Sequence, residues 1–242
     1  MKKQILIFII TYKASFRLEK VFRKIPFNRL KKFNTKVFIS DDNSQDDTIN
    51  FAYKIFKKVN KNVILNFNKR NLNYGGNIKL CLRYAIRNNY DYALMLHGDN
   101  QYNPKYLFKM IREIEKNNTT AVCGSRMINK MDALKGKMPL YKFLGNIILT
   151  KIFNLLFRTR FTDCHSGFWL YKLSSLKKLN LNNITNSFNF DNQLRIAILK
   201  NEDNILEIPI KTYYGDERSS IHFFYAIKFL YEIFFFKYFK SK

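Results

Sequence analysis

A chain of 242 residues with 47% hydrophobic side chains has the material for one large core, which excludes global disorder and disfavours two small domains. Its 43 Lys and Arg stand against 18 Asp and Glu, a net charge of +25 that calls for an anionic partner: nucleic acid, an anionic lipid surface or phosphorylated substrates. Zinc-finger spacing, ribonucleoprotein aromatic motifs and basic heptads are all missing, so nucleic acid is not an expected partner.

The N-terminus is strongly basic, with Glu19 the single acid among residues 1–36. Ile5–Ile10 is a short apolar run with no small-residue cleavage site after it, and Lys13 and Arg17 follow soon. It reads as a parallel strand buried on both faces rather than a leader. Helical spacing follows around Phe16–Phe22, then a strand over Lys36–Ser40 that Asp41-Asp42-Asn43-Ser44 breaks. Asp46 and Asp47 suit the positive start of a helix reaching Lys58. Asn62–Asn66 predicts a third strand, Gly75-Gly76 opens a helix to Asn88, and Tyr92–Leu96 predicts a fourth strand. Pro104 fits the first turn of the next helix, and Thr120–Cys123 predicts a fifth strand. The alternation predicts an α/β fold, a mostly parallel sheet flanked by helices. Ligands of such sheets bind at the carboxyl ends of strands, where Asp41–Ser44 and His97–Gln101 fall.

Beyond residue 125 the pattern changes. Leu140–Phe157 and Ile221–Phe239 are rich in large apolar residues but interrupted by charges. Each reads either as a core helix or as a helix lying in a membrane interface. The second, ending Phe234-Phe235-Phe236-Lys237-Tyr238-Phe239-Lys240, is hard to bury in a soluble monomer and is expected at the membrane. The expected division is therefore 1–220 as the main domain and 221–242 as an amphipathic membrane-associating segment. Cys81, Cys123 and Cys164 have no metal-ligand or redox spacing and read as free thiols in a reducing compartment.

Two loops carry chemistry. Asp99 at a strand end, with the Gln101 amide two residues on, offers hard oxygen ligands for Mg²⁺ or Mn²⁺ bound to a diphosphate. The carboxylates of Asp41 and Asp42 suit ribose hydroxyls or a base N–H, and equally an Asx-turn. Alone, each loop is an ordinary turn.

Taken in order, the motifs resemble family 2 glycosyltransferases of the GT-A fold, especially the polyprenyl-phosphate sugar transferases related to dolichyl-phosphate mannose synthase. The series begins with Ile10-Thr11-Tyr12-Lys13-Ala14-Ser15, Asp41-Asp42-Asn43-Ser44-Gln45-Asp46-Asp47-Thr48, Asn73-Tyr74-Gly75-Gly76-Asn77 and His97–Pro104. It continues through Gly124-Ser125-Arg126, Asp163-Cys164-His165-Ser166-Gly167-Phe168, Phe190-Asp191-Asn192-Gln193-Leu194 and Glu207-Ile208-Pro209-Ile210. The resemblance implies that Thr11, Tyr12, Asp41, Asp42, Gly76, Gly98, Arg126 and Arg218 hold a nucleotide sugar (UDP-, GDP- or dTDP-linked). It implies Asp99, assisted by Gln101, as metal ligand, Asp163 in the sugar pocket and Asp191 as candidate general base. Four positions depart from the pattern: Ile10 replaces a Pro, Ser15 a Glu, His97 the first acid of the metal motif, and Gln193 the acid of the Phe-x-x-Glu-Leu motif.

The implied reaction is inverting displacement at an anomeric carbon. A hydroxyl acceptor needs a base such as Asp191, whereas a polyprenyl phosphate is already anionic and needs none. The charge and the apolar tail favour the lipid phosphate, at the cytoplasmic face of a membrane with an anionic surface. The alternatives are a transferase extending a cell-surface glycan on a hydroxyl, and a non-catalytic membrane-surface protein of the same fold.

Overall fold

The computed structural model describes residues 2–59, 62–215 and 223–238. Its first strand, β1 (Gln4–Thr11), is the N-terminal apolar run, buried from Ile5 onward. There follow α1 (Phe16–Arg23), the one-turn α2 (Phe27–Leu30), β2 (Asn34–Asp41), α3 (Thr48–Val59), β3 (Val63–Phe67), α4 (Asn73–Arg87) and β4 (Tyr92–His97). Next come α5 (Leu107–Lys116), β5 (Ala121–Ser125), α6 (Lys130–Lys135) and α7 (Leu140–Phe157). The chain then adds β6 (Trp169–Lys172), α8 (Leu173–Leu176), α9 (Phe190–Lys200), β7 (Ile205–Pro209) and α10 (Phe223–Tyr238).

The seven strands lie in the order β3-β2-β1-β4-β6-β5-β7. All pairings are parallel except those of β6, which runs antiparallel to β4 and β5. The order reverses between β2 and β4 on either side of β1, and loops leaving such a switch point diverge to leave a crevice. Register sets what faces that crevice: Thr11 pairs with Asp41 and Ile10 with His97, so the two acid-bearing loops leave the sheet at one edge.

Alternation along β1 feeds two cores. Leu6, Phe8 and Ile10 pack on one face with Phe153, Phe190 and Leu194, while Ile5, Ile7 and Ile9 pack on the other with Leu18, Ile55 and Ile111. Phe229, Ile233 and Phe236 of α10 belong to the first core. The expected boundary at residue 220 is therefore no boundary in packing, because α10 completes the main core. Its outer face still exposes Tyr231, Phe234 and Tyr238.

Helix α7 is turned the other way. Asn146, Thr150 and Phe153 point inward, whereas Leu140, Tyr141, Leu144, Ile148 and Leu155 are exposed, Leu155 by 82%. By length and composition alone its 18 residues, with a mean hydropathy of 1.3, suffice to cross a membrane. Its inward side chains are committed to the protein, however. Asn146 Nδ2 donates to Asp163 Oδ1 (2.8 Å), Thr150 Oγ1 accepts from Cys164 N (3.2 Å), and Asn154 Nδ2 donates to Phe161 O (2.8 Å).

Candidate active site

The switch-point crevice is an open cleft of about 1750 Å³. Its walls include Thr11, Tyr12, Asp42, Gly98, Asp99, Gln101, Arg126 and Asp191, so most of the expected site residues converge there. Arg218 lies outside the described residues.

At one end stand the carboxylates of Asp41, the last residue of β2, and Asp42, the first past it, which do different work because successive residues leave a strand on opposite sides. Asp41 is fully buried and engaged: it accepts from Thr11 Oγ1 (3.0 Å), Ser44 N (2.8 Å) and Ser44 Oγ (2.6 Å). It braces the loop from behind and does not reach the cleft, contrary to the expected ligand contact. Asp42 does line the cleft, its Oδ1 accepting from Leu72 N (2.8 Å) and Asn68 Nδ2 (2.9 Å). Beside it Tyr12 also lines the cleft, 52% exposed, with Lys13 Nζ 5.3 Å from its ring centroid. Gly76 is also displaced from its expected role. A Cβ there would meet Leu72 Cβ at 3.0 Å, and at Gly75 one would stand 2.7 Å from Phe190 Cβ and Thr185 O. Gly75 serves the close approach of α4 to the 185–190 segment, and Gly76 the close approach to Leu72.

In the middle of the cleft, Asp99 Oδ1 accepts from Gln101 N (2.9 Å), a tight turn that holds Asn100 at φ 68°. Gly98 fits because a Cβ there would stand 2.7 Å from Thr11 Cγ2. Among the described residues no three His, Cys, Asp or Glu side chains gather as a ready cation cage. The donor set fits a Mg²⁺ or Mn²⁺ ion that takes Asp99 plus diphosphate and water oxygens, the usual way such ions bind beside phosphates. His97 is otherwise occupied: its ring packs edge-on against Tyr74 and Tyr102, and Nε2 lies 3.3 Å from Tyr74 Oη. Burial lowers its pKa, against the raising effect of Asp99. Gly167 makes room for this ring, since a Cβ there would sit 2.7 Å from Nε2.

The far wall holds Asp191, on the first turn of α9. Tyr74 Oη donates to its Oδ2 at 2.7 Å, and its buried Oδ1 has no hydrogen-bond partner. Burial pushes the carboxyl up to about 7, against the Tyr74 hydrogen bond and the Arg195 charge. In the sequence Tyr74 stands out only as the neighbour of a glycine pair; its partner is 117 residues away, and nothing local marks the contact.

Arg126 lines the cleft, but Asp163 is entirely buried beneath it and does not form the expected pocket wall. Arg126 Nε donates to Oδ2 (2.7 Å), Nη2 to Oδ1 (2.9 Å) and the backbone N to Oδ2 (3.1 Å). Nη1 donates to Tyr214 Oη at 2.8 Å. Burial alone would raise the Asp163 carboxyl; the Arg126 guanidinium overrides it and holds the group well below the usual carboxylate range. Asp163 thus positions Arg126 and carries no proton at neutral pH. Gln193, standing where an acid was expected, donates from Nε2 to Glu232 Oε2 of α10 at 3.3 Å.

Comparison with known proteins agrees with this fold. The family model described as Glycosyl transferase family 2 matches residues 6–179. The UDP-N-acetylglucosamine–dolichyl-phosphate N-acetylglucosaminyltransferase of Methanococcus voltae is 29% identical over 218 residues, 84% of this chain and 84% of its own. An uncharacterised protein of Methanocaldococcus jannaschii is 26% identical over 213 residues, 85% of this chain and 88% of its own. Among solved structures, glucosyl-3-phosphoglycerate synthase of Mycobacterium tuberculosis, with Mn²⁺ and UDP, superposes with a TM-score of 0.66 at 12% identity (97% of this chain, 78% of that one). A mannosyltransferase of Pyrobaculum calidifontis, with GDP-Man and Mn²⁺, superposes at 0.62 and 11% identity (91% and 59%). These likenesses establish the GT-A fold.

Proposed function

Since the chain belongs to glycosyl transferase family 2, we propose that it moves a sugar from a nucleoside diphosphate donor, with inversion, onto a polyprenyl phosphate at a membrane surface. One observation carries the reading. One cleft is lined both by Tyr12, Asp42 and Asp99 and by Tyr141, Lys142 and Ile148 of α7 with Ala226 and Lys228 of α10. Polar residues that suit a nucleotide thus share the cleft with apolar side chains and lysines that suit a lipid phosphate. The Methanococcus voltae relative, named for UDP-N-acetylglucosamine and dolichyl phosphate, supports the same donor and acceptor classes.

In this mechanism Asp42 and Tyr12 hold the nucleoside, and Asp99, with Gln101 beside it, would hold Mg²⁺ or Mn²⁺. The ion, when bound, supplies charge stabilisation for the departing nucleoside diphosphate. Arg126, fixed by Asp163, presents its guanidinium edge to the same developing charge. The acceptor phosphate oxygen bonds to the anomeric carbon as the bond to the diphosphate oxygen breaks. Lys142 and Lys228, the latter 3.7 Å from Glu232, line the same cleft and attract the incoming anion. The test is a screen of nucleotide sugars for metal-dependent thermal stabilisation, with the best donor then offered to polyprenyl phosphate and to oligosaccharides. Transfer to oligosaccharide alone would overturn the acceptor assignment.

Asp191 favours a second reading, transfer to a sugar hydroxyl, because it stands on the cleft wall with a raised pKa that suits proton abstraction. The base is active when deprotonated, so kcat/KM on a hydroxyl acceptor should rise with pH through about 7. Tyr74 stabilises the ionised form, so Tyr74→Phe should move that limb to higher pH. On a phosphate acceptor Tyr74→Phe should leave the profile in place. Initial rates over pH 5–9 with both acceptors decide between the two readings.

We also place the protein on the cytoplasmic membrane face, lying on the bilayer rather than crossing it. The three cysteines are buried and unbridged, which suits a reducing compartment. The α7 bonds to Asp163, Cys164 and Phe161 would be torn by a spanning orientation. Its exposed leucines would instead enter the interface, where Lys151 and Arg158 of its C-terminal half suit anionic headgroups. Leu144→Glu with Leu155→Glu should weaken binding to anionic vesicles at least tenfold, since each buried leucine contributes about 1.5–3 kcal/mol. Nucleotide binding should be unchanged. Vesicle co-sedimentation measures this, and equal sedimentation of variant and wild type would remove α7 from the membrane.

A further inference from the structure

We propose that Glu232 of α10 is a positioning residue that latches the Thr185–Asn189 segment and so sets the wall on which Asp191 stands. This rests on the cleft being the transfer site. Glu232 Oε2 accepts from Asn189 Nδ2 (2.9 Å), Gln193 Nε2 (3.3 Å) and Ser187 Oγ (3.4 Å). Its other oxygen lies 3.7 Å from Lys228 Nζ. Three side chains, from Ser187, Asn189 and Gln193, thus converge as donors on one acceptor oxygen. Gln193 extends the latch, its Oε1 accepting from Thr185 N at 2.8 Å. Within the segment Ser187 N donates to Thr185 Oγ1 (3.1 Å) and Asn189 N to Ser187 Oγ (3.2 Å). One further tie runs to α4, where Gly75 N donates to Asn186 O (2.8 Å).

What the latch holds is functional surface. Thr185, Asn186, Ser187 and Phe188 all line the cleft. Phe188 stacks on Tyr74 with centroids 5.4 Å apart, and Tyr74 donates to Asp191. The seat of α10, made by Phe229, Ile233 and Phe236, is thereby connected through Glu232, Phe188 and Tyr74 to Asp191. An α10 that only covered apolar core would need no carboxylate on its inner face. This one carries Glu232 there, 16% exposed, against the uncharged donors Ser187, Asn189 and Gln193.

The pair Gln193–Glu232 allows a test by exchange of charge. In Gln193→Glu two carboxylates face each other. In Gln193→Glu/Glu232→Gln the donor and acceptor trade places, and Thr185 N, Asn189 and Ser187 keep acceptors. Hydrogen–deuterium exchange of a peptide spanning 181–194 covers the Thr185, Ser187 and Asn189 amides. Exchange should quicken at least tenfold in Glu232→Ala and in Gln193→Glu, and return to within threefold of wild type in the swapped double variant. UDP binding should stay within twofold in all of them. On whichever acceptor the wild type uses, kcat should fall about tenfold in Glu232→Ala with donor KM unchanged, and recover in the double variant. Unchanged exchange in Glu232→Ala, a double variant no better than Gln193→Glu, or unchanged kcat beside quickened exchange would overturn the proposal. If Glu232→Ala does not fold, the swapped pair and its two parents test the latch by the same readouts. Exchange is read without any acceptor, so a wrong acceptor assignment leaves the latch result standing.

Discussion

Asp99→Asn should abolish the Mn²⁺-dependent tightening of nucleoside diphosphate binding and lower transfer about 10²–10³-fold, the loss typical of removing one transition-state charge contact. The substitution is clean. The carbonyl of Asn can still accept from Gln101 N, so the turn that places Asn100 at φ 68° survives and only charge is removed. Titration calorimetry of UDP and GDP with and without Mn²⁺ separates the metal-dependent part from nucleoside recognition, which Asp42 and Tyr12 should maintain. His97 is the rival ligand. Its ring is wedged between Tyr74 and Tyr102, and its Nε2 lies 3.3 Å from Tyr74 Oη, so that nitrogen is already engaged. Metal dependence that persists unchanged in Asp99→Asn would remove the assignment.

What could be read from the sequence was what local chemistry encodes. The strands over Ile5–Ile10, Lys36–Ser40 and Tyr92–Leu96 are continuous or nearly continuous apolar runs, and all three appear within β1, β2 and β4. β6 escaped because its four residues follow directly on a motif read as a pocket turn. β7 escaped because it carries Glu207 and ends in Pro209, which a strand tolerates at a sheet edge. The acids of the site were legible as types but not as neighbours. Asp41 and Asp42 look alike in a linear motif, and only the direction each side chain takes at the strand end separates brace from wall. The contact of Tyr74 with Asp191 and that of Glu232 with Gln193 join distant segments, so no spacing rule reveals them. The missing acid at 193 looked like a lost group until α10 was seen to bring Glu232 to it.

Asp163→Asn should be the most destabilising substitution in the site, because it leaves the Arg126 guanidinium buried without its counter-charge. Breaking a buried ion pair from one side costs about 3–5 kcal/mol. For a chain of this size that corresponds to a fall in Tm of roughly 6–20 °C. The pH dependence has a definite sign. The Asp163 carboxyl is held far below its unfolded value, so its contribution is fully present above the unfolded pKa of about 4 and is lost as pH falls towards the folded value. Wild-type Tm should therefore decline in acid more steeply than that of Asp163→Asn. Adding Arg126→Gln to Asp163→Asn removes the stranded charge while leaving amides that hydrogen-bond to each other and to Asn146. Thermal melts should show the double variant recovering more than half of the lost stability, a coupling that a double-mutant cycle measures directly. Transfer should not recover with it, because Arg126 is the member of the pair on the cleft wall. A double variant no more stable than Asp163→Asn would show that the pair is not held by its charges. One that regained transfer would show that the guanidinium never meets the substrate.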